Sequence, residues 1–306
     1  MVQQDKTADI HAVIRRGKRW DYLFAAIGLI CLAFGLLTVL VLVGKMGLEG
    51  LDRLSLDFFT SYPSRRAANA GILSAWVGSV LVMLVTAFAA VPLGVGAGVY
   101  LEEYAKKNWV TDIIEINITN LAAVPSIVYG LLALGIFVYQ FGFGGSILSA
   151  GLTLALLILP IVIVATREAI RAIPGAMREG SMALGATKWQ TVRYHILPYS
   201  MPGILTGIII GLARAIGETA PIITIGALTF IAFLPPLPLV EGAGLFDWVM
   251  SPFTVMPIQM FNWTSRPEEA FQINAGAAGF VLVVMTLGMN ALAIWLRYRL
   301  RKNIKW

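Results

Sequence analysis

Two charged side chains stand where charge is expensive. Arg214 and Glu218 lie in the middle of Gly203 to Phe233, an otherwise apolar stretch long enough to cross a bilayer. A charge at the bilayer centre costs about 2.5–3.5 kcal/mol on insertion scales, so such residues persist only where they face protein or water. An arginine presents a planar fork of N–H donors that matches an oxyanion, and a carboxylate four residues on can neutralise it or take up a proton. A plain structural staple of the helix is the competing use of the same pair. Thr219 follows directly, and with Arg214 and Glu218 it makes up the candidate solute path.

The element that carries these residues is legible from its small side chains. At about 100° per residue, Gly203, Gly207, Gly211, Arg214, Ala215 and Glu218 share one helical stripe. Small residues let a neighbouring helix come close, so the stripe is expected to face protein. Pro221 removes the hydrogen bond to the Gly217 carbonyl, and the helix is expected to kink or unwind beside Glu218.

Other chemistry is poorly supplied. His11 and His195 are far apart, and neither HExxH nor CxxC occurs, so no metal site is expected. Cys31 sits within an apolar run with no second cysteine to pair with, and reads as apolar filler. Gly17-Lys18 and Gly44-Lys45 lack the following Ser or Thr and the upstream glycine of a phosphate loop. The chain is expected to be no enzyme and to bind no cofactor of its own.

Composition sets the class. Hydrophobic residues are 58% of 306 and charged ones 13%, which describes a polytopic all-α membrane protein. Six spans are expected: Tyr22 to Gly44, about Gly71 to Val99, two within the uncharged stretch Ile116 to Thr166 divided at Gly142, Gly144 and Gly145, the Arg214/Glu218 segment, and about Gln272 to Leu296. A signal peptide is the alternative for the first, but its apolar run is too long and no A-x-A site follows. Counting from a cytoplasmic N-terminus, 17 Lys and Arg fall inside and five outside, the asymmetry that orients membrane proteins. That distribution, and not a nucleic-acid partner, accounts for the net charge of +6. Both termini are expected to be cytoplasmic. Reporter fusions after Lys107 and after Asn303 should read cytoplasmic, and one near Glu241 external; an external C-terminus would overturn the six-span topology.

The chain divides by this reading into a cytoplasmic segment 1–20, polar and frayed or surface-lying, a membrane domain 21–300, and a cytoplasmic tail 301–306. An outer loop, 234–271, opens with Pro235, Pro236 and Pro238, and its Phe246, Trp248, Phe253, Phe261 and Trp263 suit an interfacial belt. The inner loop at about 167–201 is the other distinctive element. Glu179 to Leu184 favours helix, Gly185 ends or bends it, and Thr187 to Ile196 forms a second amphipathic stretch that Leu197-Pro198 is expected to stop. Two short helices meeting closely at a glycine suit insertion into a groove of a partner.

That inner loop resembles the EAA loop of ABC importer permeases, whose pattern is E-A-A-x3-G-x9-I-x-L-P. Glu179, Gly185, Leu197 and Pro198 match at the family's spacing, whereas Gly180, Ser181 and His195 depart from it. The runs Asn120 to Gly130, Gly203 to Gly207 and Ala213 to Pro221 are similar to the permeases of the high-affinity phosphate importer. Ala220-Pro221 and Pro257 to Trp263 look like its A type. The resemblance spans about residues 50–300. It implies the type I ABC importer permease (MetI-like) fold in a bacterial inner membrane. It implies a coupling surface at Glu179, Gly185, Ala186, Leu197 and Pro198 for a separate ATPase dimer that carries the ATP and Mg2+. It also implies a second, C-type permease and an external phosphate-binding protein as partners, with membrane lipid around the chain. Phosphate would then pass Arg214, with Glu218 tuning the arginine or accepting a proton. A C-type phosphate permease, or a permease for another oxyanion such as molybdate or sulfate, is the alternative.

Overall fold

A computed structural model describes residues 2–236, 244 and 246–302; Pro238 and the tail residues 303–306 named above lie outside them. By contacts the chain resolves into two units, 1–49 and 50–306. The first is almost entirely one helix, α1, Val2–Gly50. No proline interrupts it, so the N-terminal segment is helical and continuous with the first span, which begins at Trp20. Cys31 is exposed on it, facing outward rather than into a core.

The second unit is all helical among the described residues. A short α2, Leu56–Thr60, precedes α3, Leu73–Val99, which continues as a π turn over Tyr100–Tyr104. Then come α4, Trp109–Leu121, α5, Ser126–Ala133, with its π extension Leu134–Gln140, and α6, Ile147–Arg171. The inner loop holds α7, Gly175–Ala183, and α8, Lys188–Thr191. It leads through a π turn, Val192–Ile196, into α9, Leu197–Gly217, followed by α10, Ala220–Thr224. The last described helices are α11, Met256–Thr264, and α12, Glu269–Lys302.

Among the described residues five helices are long and apolar enough to cross a membrane, and the bent pair α4–α5 makes a sixth crossing if counted as one. The third span is therefore not the single helix the sequence suggested. Its two arms meet at 105°, because Pro125 has no N–H to donate and biases Val124 out of the helical region.

The spine is α6, the most enclosed of the spans. Leu154, Leu157, Ile158 and Val162 are buried, and the helix packs on α3 and α9. Small side chains set the spacing. A Cβ on Gly98 of α3 would stand 2.6 Å from Thr166, and one on Gly207 of α9 would collide with the methyl of Ala165. The glycine stripe read from the sequence does face protein. Gly207→Leu should accordingly lower the amount of folded protein in the membrane, overpacking costing about 1–3 kcal/mol. Ala165→Gly should restore part of the loss in Gly207→Ala; levels on immunoblots against wild type check both.

Two further expectations change. Leu197-Pro198 does not stop the second loop helix. The Leu197 N–H bonds to the Val192 carbonyl five residues back, and the chain runs on into α9. A wider π turn shifts the carbonyls that the Pro198 ring would strike, so proline here redirects a helix without ending it. The aromatic belt is also only partly a belt. Phe246 and Phe261 are exposed, but Phe253 and Trp263 are in the core, Trp263 stacked beside Phe58 at 6.1 Å. Burying the Trp263 ring holds α11 against the bundle, and the Phe253 ring anchors the segment that precedes it.

Candidate functional site

The Pro221 break is where it was expected. Helix α9 ends at Gly217, Glu218 is extended with φ −77° and ψ 121°, and α10 restarts with Pro221 in its first turn. Its N–H-free ring suits that first turn, where no intrahelical partner exists. Thr219 becomes the hinge residue, its carbonyl accepting from the Ile222 and Ile223 N–H groups at 3.1 and 3.0 Å.

At the break Arg214 Nε donates to Glu218 Oε1 at 3.2 Å. The pair is formed but not sealed: the Arg214 side chain is 39% exposed and that of Glu218 is 20%. Arg214 spends only Nε on it. Its Nη1 and Nη2 groups make no hydrogen bond among the described residues. Glu218 reaches inward to a cavity of about 10 Å3, bordered by Ser79, Met83, Ile216 and Val255, enough for one water at most. The glycines of the stripe are covered by α6, whereas the charges emerge past its edge.

The α4–α5 hairpin closes on this break. A Cβ on Gly130 would meet Thr224, and Pro221 Cα at 2.6 Å, so α5 lies directly against α10. Tyr129, which is buried, donates its hydroxyl to the Leu121 carbonyl at 2.8 Å. That bond straps the two arms of the bend together. Tyr129 lies in the run that carried the family resemblance, yet nothing in its spacing marks it as the strap.

The inner loop has a built geometry. Gly185 sits at φ +90°, a left-handed conformation that non-glycine residues adopt only at a cost. A Cβ there would meet nothing within 4 Å, so its role is the backbone turn and not the close helix crossing the sequence suggested. The Ala186 N–H then reaches the Ser181 carbonyl at 3.3 Å, ending α7. Thr187 and Gln190 form a reciprocal capping box that starts α8, and the Ser181 and Thr191 hydroxyls join the two helices at 3.0 Å. Glu179 is exposed, Ala186, Leu197 and Pro198 half-buried. Leu184 is 92% exposed and Trp189 59%, an apolar face turned outward on a loop that bonds inward elsewhere.

The arginines of this region do more than orient the chain. Arg167, 7% exposed, bridges Glu102 at 3.6 Å and Glu115 at 2.5 Å. Arg171 pairs with Glu102 and Glu168. Arg178 pairs with Glu103 at 2.8 Å. Partners lie as far as 75 residues apart, so no local pattern announces them.

The family model for "Binding-protein-dependent transport system inner membrane component" matches residues 90–306. The chain belongs to that family. As a member of it, this is a multi-pass inner-membrane protein and the permease subunit of an ABC transporter. It is 33% identical over 282 residues to a Bacillus subtilis protein named "Probable ABC transporter permease protein YqgI", across 89% of this chain and 95% of that one. It is 31% identical to the phosphate transport system permease protein PstA of Xylella fastidiosa, across 90% and 93%. With the corresponding PstA of Yersinia pestis it shares 32% over 85% and 84%. The fold of this family member is that of type I ABC importer permeases. A chain of the bacterial alginate ABC transporter, crystallised with its alginate-loaded periplasmic protein, superposes with TM-score 0.62 at 14% identity, over 90% of this chain and 93% of that one. A chain of the inward-facing MetNI methionine transporter does so with TM-score 0.56 at 16%, over 73% and 93%.

Proposed function

We propose that this permease subunit imports inorganic phosphate, as the A-type half of a translocation path completed by a second, C-type permease. What carries the reading is a guanidinium whose Nη groups are both unengaged among the described residues, at a helix break, in a chain 31% identical over 90% of its length to a permease named for phosphate transport. Two parallel N–H groups match two phosphate oxygens, a geometry an ammonium lacks. Glu218 holds Nε and so aims that fork, and its own charge limits how tightly a dianion is held. Weak holding is what transit requires. An external phosphate-binding protein supplies the affinity and delivers the substrate.

Power comes from a separate ATPase pair that carries ATP and Mg2+. Leu184, Trp189 and Met182 on the inner loop form the face that docks into its groove, an amphipathic helix pair seated in an apolar cleft. The experiment is uptake of labelled phosphate in cells lacking other phosphate transporters, with the chain expressed beside the partners that copurify with it. Phosphate-dependent uptake supports the reading. Uptake of molybdate or sulfate in preference to phosphate would replace the substrate while leaving the architecture.

A further inference from the structure

We infer that the π turn Tyr100–Tyr104 is the junction that positions the inner loop, and that Glu103 and Arg178 are its positioning pair. This rests on the reading of that loop as the ATPase-docking element. Arg178 lies in α7 immediately before Glu179 and turns all three of its nitrogens inward. Nε donates to Glu103 Oε1 at 2.8 Å, Nη1 to the Ile173 carbonyl at 2.8 Å and Nη2 to the Ile170 carbonyl at 3.0 Å. One guanidinium thus satisfies two carbonyls at the end of α6 and a carboxylate on the extension of α3. The Glu103 side chain is only 7% exposed and that of Arg178 23%, so neither charge has bulk water as a ready substitute.

The same π turn grips the loop a second time. Lys188 of α8 stands 5.2 Å over the Tyr104 ring. Its neighbouring carboxylate Glu102 faces the other way, to Arg167 and Arg171 of α6, and Arg167 in turn holds Glu115 of α4. Widened turns inside helices let successive residues point to different partners, and they recur at functional sites. Here adjacent glutamates serve different elements: Glu103 the docking loop, Glu102 the bundle. A load on the loop therefore reaches α3 and α6 through charged, buried bonds and not through a flexible tether. The Ser181–Thr191 bond, by contrast, is internal to the loop and fixes no angle to the bundle.

The test uses the complete importer purified with its ATPase, in wild type and in Glu103→Gln, Arg178→Gln, the double variant and Arg178→Lys. Amide exchange across 175–183 should quicken about tenfold in each glutamine single variant, with α9 unchanged. ATP hydrolysed per phosphate moved should rise at least about threefold, with the ATPase still copurifying. The double variant should be no worse than either single one, and Arg178→Lys should lie between. The double variant leaves no unpaired buried charge, so it keeps the measurement readable if a single variant fails to assemble. Unaltered exchange in α7, or effects that simply add in the double variant, would overturn the inference. A wild-type importer that moves no phosphate would instead defeat the substrate reading, with the exchange measurement still deciding the role of the pair.

Discussion

Arg214→Gln is expected to abolish phosphate uptake while the protein remains in the membrane at close to its normal level. The Arg214–Glu218 pair is open on one side, so breaking it costs less than the about 3–5 kcal/mol of a sealed ion pair. A folding defect is then too small to explain a complete loss of transport. The decisive variant is Arg214→Gln with Glu218→Gln. If the pair only staples the break, removing both charges restores uptake. If the Nη fork serves the substrate, the double variant stays dead. Arg214→Lys should recover a fraction, since it keeps the charge and loses the fork. Labelled phosphate uptake normalised to membrane protein decides among these outcomes, and wild-type uptake by the double glutamine variant would leave Arg214 a structural residue.

The second large effect is expected at Gly185. Its φ of +90° costs a side-chain-bearing residue about 1–2 kcal/mol, a factor of roughly 5–30 in the population of the correct turn. A Cβ there touches nothing, so the membrane bundle should be indifferent. Gly185→Arg should therefore insert and accumulate normally but lose its ATPase on purification, and Gly185→Asn, which tolerates left-handed backbone, should retain much of it. Normal recovery of the ATPase with Gly185→Arg would show that the turn is not required for docking.

These two sites were legible for different reasons. Arg214 and Glu218 stand out because an apolar stretch makes any charge conspicuous, and Pro221 announces the break by chemistry local to it. The inner loop was legible through spacing, since Gly185 acts on the chain within a few residues. The function assigned to Gly185 nevertheless shifted, because spacing cannot distinguish a glycine needed for close approach from one needed for positive φ. Leu197-Pro198 misled for a related reason. A proline forbids one hydrogen bond, and a π turn five residues wide can absorb that loss without ending the helix.

Membership in the all-α membrane class, the broken helix at Glu218 and the turn at Gly185 were determined by the sequence alone. Each depends on residue type within about one helical turn or one span, where hydropathy and hydrogen-bond capacity are local properties. Only the tertiary structure decided that the third span folds back at 105°, that Trp263 and Phe253 are core, and that Tyr129 straps the bend between α4 and α5. It alone turned the inner arginines from topology signals into partners of Glu102, Glu103 and Glu115. Those pairings join residues up to 75 positions apart. Their energies depend on burial and distance, which exist only once α3, α4, α6 and α7 have packed.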